Sequence, residues 1–188
     1  GSQYGYMLLL GSASMYDKPA KCHLLDWSSS KIGRKVRSTL AAEAASASRA
    51  YDRATFLRAM MCEIEHGRKE KENWKDMVQK VRCALATDCK SLYALHKNDG
   101  KLPDERRVAL DLLDVREGIQ EFGDEFRWIP TDHMLADALT KRMPPDLLIK
   151  FLKDSIYCLK YDDVITHTKR VEAKERKEQR MQKRLKNK

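Results

Sequence analysis

The chain has 188 residues, 42% of them apolar and 35% charged, with a formal charge of +9. That length accommodates one α/β domain with an appendage rather than two full-sized domains, and the longest apolar run, residues 6–10, falls far short of the ~20 residues of a membrane-spanning helix, which is excluded. The charge is uneven: residues 167–188 contribute +7 and the other 166 residues only +2, so the basicity belongs to a tail.

The chain opens at Gly1 without an initiator Met, a basic leader or a signal-type apolar stretch, and so reads as a piece of a longer polypeptide. Residues 4–13 and 21–27 are rich in Tyr, Leu and Met around the turn-like stretch 14–19, which predicts a hairpin. A polar, basic loop is expected over residues 28–35. Leu40, Ala44, Ala47, Tyr51, Ala54, Leu57, Met61 and Ile64 then recur every three or four residues, the spacing of a long amphipathic helix. Residues 66–76 read as a charged connection, and residues 81–89 as a strand buried on both faces. A short helix over residues 91–96 should close at Asn98, Asp99 and Gly100. Val108, Leu112, Val115, Ile119 and Phe122 predict a second long helix that stops at Gly123. A strand over residues 125–129 ends at Pro130, a helix capped by Thr131 or Asp132 follows, and Pro144 and Pro145 restart a helix reaching about Cys158. This order predicts a mixed α/β sheet with flanking helices over residues 1–160 and a basic helical or disordered tail over 161–188. The five cysteines show neither C-x-x-C pairs nor a zinc spacing, the usage of a reduced, intracellular protein, cytoplasmic or nuclear.

Three carboxylates stand beside apolar surface: Glu43 in the first turn of the long helix, Asp88 at a strand end, and Asp137 within an apolar turn. Each has an ordinary explanation. Glu43 complements a helix dipole, Asp88 caps the following helix, and Asp137 pairs with Lys141 at i+4. Together they also suit Mg2+ or Mn2+, because hard cations take oxygen ligands and two-metal phosphodiester hydrolysis needs several converging carboxylates. Arg34, Lys35 and Arg37, ahead of the long helix, are candidate phosphate contacts, and ordinary surface charge explains them equally well. Trp27 and Trp128 are candidates for stacking on bases or for packing, His133 for proton transfer or a solvent-facing position, and Cys89 for a small buried group.

The segments Arg37-Ser-Thr-Leu-Ala-Ala-Glu43-Ala, Thr87-Asp88-Cys-Lys-Ser-Leu92 and Trp128-Ile-Pro-Thr-Asp-His-Met-Leu-Ala-Asp137-Ala-Leu-Thr-Lys141 resemble, in order, signatures of the ribonuclease H domain of copia-type retrotransposon Pol polyproteins. The resemblance extends to Ser2-Gln3-Tyr4-Gly5-Tyr6 and Leu25-Asp26-Trp27-Ser28-Ser29, and covers about residues 2–143. It implies a ribonuclease H-like fold and metal ligation by Glu43, Asp88 and Asp137. It also implies a first catalytic Asp on a central strand preceding Ser2, for which neither Asp17 nor Asp26 is a convincing substitute. That strand would lie between the strands at Tyr4 and Val81, so its absence should leave two unpaired edges and a marginal fold unless the rest of the polypeptide supplies it. The expected activity is cleavage of RNA in RNA/DNA hybrids with Mg2+ or Mn2+, next to a Pol polyprotein containing reverse transcriptase. The rival is a non-catalytic module that binds nucleic acid or protein through the basic tail.

Overall fold

The hairpin predicted at the amino terminus opens the computed structural model, which describes residues 2–67, 73–98 and 100–159. Strand β1 (Gln3–Gly11) pairs antiparallel with β2 (Ala20–Lys31), around a 3-10 turn at Ala13–Tyr16. The expected loop over residues 28–35 is corrected: Ser28, Ser29 and Ser30 continue β2 opposite Tyr6, Gly5 and Tyr4. Polar serines fit this half-buried ribbon because their hydroxyls find partners, Ser29 Oγ donating to the Leu139 carbonyl at 2.6 Å.

Helix α1 (Thr39–His66) starts where the Ser38 hydroxyl accepts the Ala41 N–H at 3.1 Å and ends at Gly67, whose φ of 70° suits a residue without Cβ. Glu43 is its fifth residue, past the first turn where the dipole acts most strongly. The expected charged connection over residues 66–76 runs into a helix, α2 (Trp74–Gln79), whose buried Met77 and Val78 are too short a pattern to show periodicity.

Strand β3 (Ala84–Thr87) is shorter than expected and pairs in parallel with β4 (Glu125–Trp128), which limits its length. Between them run α3 (Lys90–Lys97) and α4 (Arg106–Phe122). Gly123 ends α4 in the left-handed region, as predicted (φ 67°). The buried Arg116 guanidinium donates to the carbonyls of Leu95, Asn98 and Lys101, closing α3. The helix expected after Pro130 is a 3-10 turn at Thr131–His133, followed by the single turn α5 (Asp137–Thr140), and neither Thr131 nor Asp132 caps it. Helix α6 (Asp146–Asp154) stops short of Cys158 because Ser155 turns the chain (φ 52°) into β5 (Ile156–Tyr157), which pairs with Ala20 and Lys21 of β2.

Side chains pack against both faces of β3. Leu85 faces a core of Ala41, Ala44, Ala47 and Tyr51 from α1 with Val108, Leu112, Val115 and Ile119 from α4. Ala84 and Ala86 face Met15, Cys22, Leu135 and Phe151. In line with the expected mixed α/β class, the strands among the described residues form two sheets, an antiparallel β1-β2-β5 sheet and the parallel β3-β4 pair. A cavity of about 270 Å3 separates β1 from β3. No described helix is long and apolar enough to cross a membrane. The predicted tail and its boundary at residue 160 lie outside the described residues.

Small residues set how closely α1 approaches α4. A Cβ at Gly118 would collide with the Tyr51 ring, which is tethered by its hydroxyl donating to Asp124 Oδ2 at 2.6 Å. Gly118→Ala is therefore expected to cost about 1–3 kcal/mol through overpacking, read as a lower urea midpoint. An unchanged midpoint would mean that the ring moves aside freely.

Candidate functional site

Each candidate carboxylate comes from a different element: Glu43 from α1, Asp88 from the residue after β3, and Asp137 from the first position of α5. The fold gathers them on the wall of the cavity between β1 and β3. Burial first, and then the Asp88 and Asp137 charges, raise the Glu43 pKa, with Lys141 opposing. Burial likewise raises the Asp137 pKa, helped by the Asp88 charge and opposed by Lys141.

Lys141 is the cation these carboxylates meet. Its Nζ lies 2.7 Å from Asp137 Oδ1 and 3.5 Å from Asp88 Oδ2. Burial works against its charge, but the two aspartates outweigh that and hold its pKa above the ordinary lysine value. The i+4 pairing foreseen for Asp137 and Lys141 is thus present; its extension to Asp88 carries no sequence signal, because the two residues are 53 positions apart. Asp88 is not the cap of α3: Cys89 holds that position and no side chain caps the helix. Trp128 Nε1 donates to the Asp88 carbonyl at 2.9 Å, and the Lys90 ammonium lies 5.0 Å from the Trp128 ring centre. Trp128 therefore braces the site, whereas Trp27 is 56% exposed.

Among the described residues, no three His, Cys, Asp or Glu side chains stand in metal-ligating geometry. The donor chemistry nevertheless fits a hard cation. All three groups are carboxylates, and Asp137 Oδ2 is buried without a hydrogen-bond partner. Of the basic candidates, Arg34 is tied to Asp111 of α4, while Lys35 and Arg37 are exposed ahead of α1. His133 is exposed, with its carbonyl accepting the Tyr157 hydroxyl at 2.8 Å. Asp26 pairs with Arg53 at 2.6 Å.

The burial of these carboxylates, and then their crowding, has a thermodynamic sign. A carboxyl whose folded pKa is raised holds its proton longer in the native state, so stability falls as pH rises from the ordinary value, 4.5 for Glu43, through the raised one. Glu43→Gln should flatten that fall and raise the thermal midpoint at pH 7 by a few degrees. A lower midpoint would show that the ionised Glu43 stabilises the fold.

Compared with protein-family models, with curated proteins and with solved structures, the chain gives no match. What the fold and the site define is a mixed α/β protein with a carboxylate–lysine cluster at the carboxyl end of a parallel strand pair.

Proposed function

We propose that this chain is the ribonuclease H-like part of a copia-type retroelement polyprotein and belongs to an enzyme that cleaves RNA in RNA/DNA hybrids. The observation that carries the reading is the convergence of Glu43, Asp88 and Asp137, 94 positions apart at the extremes, on one wall beside the end of β3. Open α/β folds bind ligands at that end of their strands. The order of elements agrees with the resemblance, and so does the open position between β1 and β3.

Glu43, Asp88 and Asp137 would hold Mg2+ or Mn2+. The chemistry such ions supply when bound is activation of water for in-line attack on the RNA phosphate and stabilisation of the departing 3′ oxygen. Asp137 anchors Lys141 within reach of Asp88, where its ammonium offsets the mutual repulsion of the carboxylates. Trp128 fixes the Asp88 backbone, and Lys35 and Arg37 offer exposed charge to the nucleic-acid backbone. Hybrid selection would then rest on helix shape and 2′-hydroxyls rather than base sequence. The remaining polyprotein, including reverse transcriptase, is the partner that would deliver the hybrid.

The test is cleavage of one labelled sequence presented as RNA/DNA hybrid, RNA duplex and DNA duplex, by this chain and by a version extended upstream. Cleavage confined to the RNA strand of the hybrid, in either protein, is expected; no cleavage by either would overturn the reading. A second reading, a non-catalytic module binding through its basic tail, is favoured by Lys141 standing against two of the three carboxylates. Deleting residues 169–188 should abolish binding and its salt dependence on that reading, and leave Mg2+-dependent cleavage intact on the first.

A further inference from the structure

We propose that the outer edge of β2 is a self-association surface, on which a second copy of this chain pairs its own β2 antiparallel, with Ser29 on the two-fold axis and each Trp27 against Lys31 of the other copy. The inference rests on the fold and not on the nuclease reading.

One side of β2 is covered by β1 from Cys22 to Lys31. On the other side β5 reaches only Ala20 and Lys21, and the Cys22 N–H donates to the Ser155 carbonyl at 2.9 Å. Among the described residues, no strand pairs with that side beyond Cys22. The ladder with β1 fixes which groups face outward. The Ile32 N–H donates to the Ser2 carbonyl at 2.9 Å, and opposed residues of an antiparallel pair alternate between bonded and non-bonded. Ser30 and Ser28 therefore also turn toward β1, opposite Tyr4 and Tyr6, while Trp27, Ser29 and Lys31 turn their N–H and C=O groups away from it. The Trp27 N–H is accordingly taken by Asp26 Oδ1, at 2.9 Å. Beyond Asp26 a bulge ends this regular stretch, because Leu25 has no residue opposite it on β1.

The side chains of this edge match their own copy. Trp27, Ser29 and Lys31 share one face of the strand, since side chains alternate, and both Trp27 (56%) and Lys31 are exposed. A lysine on a strand edge discourages incoming strands. A second copy answers it with an aromatic ring. When Ser29 stands opposite Ser29, Trp27 of each copy lies directly across from Lys31 of the other, and cross-strand neighbours on one face are close enough for a cation–π contact. The symmetry makes that contact twice. In the same register the two Ser29 residues exchange both of their backbone bonds and each Lys31 N–H donates to a Trp27 carbonyl, while Asp26 keeps the Trp27 N–H. Neighbouring registers lose the match: centring on Lys31 brings two ammonium groups together, and centring on Trp27 sets Lys31 opposite His23.

Other occupants fit less well. An unrelated extended peptide gains the backbone bonds, but its sequence has no reason to place a cation opposite Trp27 and a ring opposite Lys31. The segment 167–188, with ten Lys or Arg and three Glu, would bring further cations beside Lys31.

The test is sedimentation equilibrium of the full chain over a hundredfold range of concentration, beside Trp27→Lys and the double variant Trp27→Lys, Lys31→Glu. Both side chains are exposed, so the substitutions leave the core untouched. The expected result is a monomer–dimer equilibrium, weakened at least tenfold by Trp27→Lys, which sets like charges across the axis. The double variant should recover most of that loss, because the introduced carboxylate then faces the introduced ammonium. Amide exchange at Ser29 and Lys31 should slow as the dimer forms. A monomer at every concentration overturns the proposal, as does a dimer indifferent to Trp27→Lys or a double variant no stronger than the single one. Protection of Ser29 and Lys31 in the monomer also overturns it, since another segment of the chain then covers the edge. A second readout survives association through other surfaces. The register places Ser28 of one copy opposite Ser30 of the other in a non-bonded pair, where side chains lie closest. Mixing Ser28→Cys and Ser30→Cys chains under mild oxidation should give a 28-to-30 cross-link, identified by mass, and its absence overturns the proposal. None of these readouts involves cleavage, so failure here leaves the nuclease reading to its own assay, and the reverse.

Discussion

Asp124→Ala is expected to destabilise the domain by about 3–5 kcal/mol, the cost of stripping a buried charge of its partner. Asp124 follows α4, and its carboxylate accepts from Arg58 Nη1 at 2.6 Å, Arg58 Nη2 at 2.9 Å, the Tyr51 hydroxyl at 2.6 Å and the Cys83 N–H at 3.2 Å. The Arg58 and Asp124 side chains are only 5% and 2% exposed. The same guanidinium donates to the Val78 carbonyl at 2.9 Å, so one ion pair joins α1, α2, the approach to β3 and the start of β4. Burial also pushes the neighbouring Cys83 thiol up to about 11, so it stays neutral beside the pair. Such a loss takes a large share of a typical total of about 5–15 kcal/mol. Urea denaturation should show Asp124→Ala largely unfolded in water, whereas an Arg58→Met, Asp124→Leu double variant retains much more stability because neither charge is orphaned. A single-variant loss below about 1 kcal/mol would show that water reaches the pair.

Asp88→Asn is expected to lower hybrid cleavage by at least about 100-fold, an effect of the size seen when one electrostatic group of a reacting centre is removed, while the fold stays intact. Asp88 Oδ2 meets Lys141 at 3.5 Å, a long contact at a half-exposed lysine, and its loss costs little stability. The Asp88 carbonyl that binds Trp128 is untouched by the substitution. Unchanged thermal unfolding with lost cleavage would separate chemistry from folding. Retained cleavage would remove Asp88 from the mechanism.

The parts of the fold that were legible are those with a repeating signal. The long apolar periodicities gave α1 and α4, and Gly123 marked the end of α4 because only a left-handed residue continues the chain there. The serine extension of β2 was hidden because its polarity resembles a loop and its hydroxyl partner, Leu139, is 110 residues away. Helix α2 and strand β5 are too short for any period to emerge. In the site, Glu43, Asp88 and Asp137 were legible as charges beside apolar residues. Lys141 is legible only as the neighbour of Asp137, since its approach to Asp88 depends on how α5 sits beside β3. The Arg58–Asp124 pair had no local signature at all.

The most direct test of the central claim is Mn2+ binding followed by electron paramagnetic resonance in the full chain, beside Glu43→Gln, Asp88→Asn and Asp137→Asn. The account predicts saturable binding to the unaltered chain, weakened at least tenfold by each substitution and strengthened by Lys141→Gln, which removes the ammonium the carboxylates now meet. Binding that is absent, or indifferent to all three carboxylates, would contradict it.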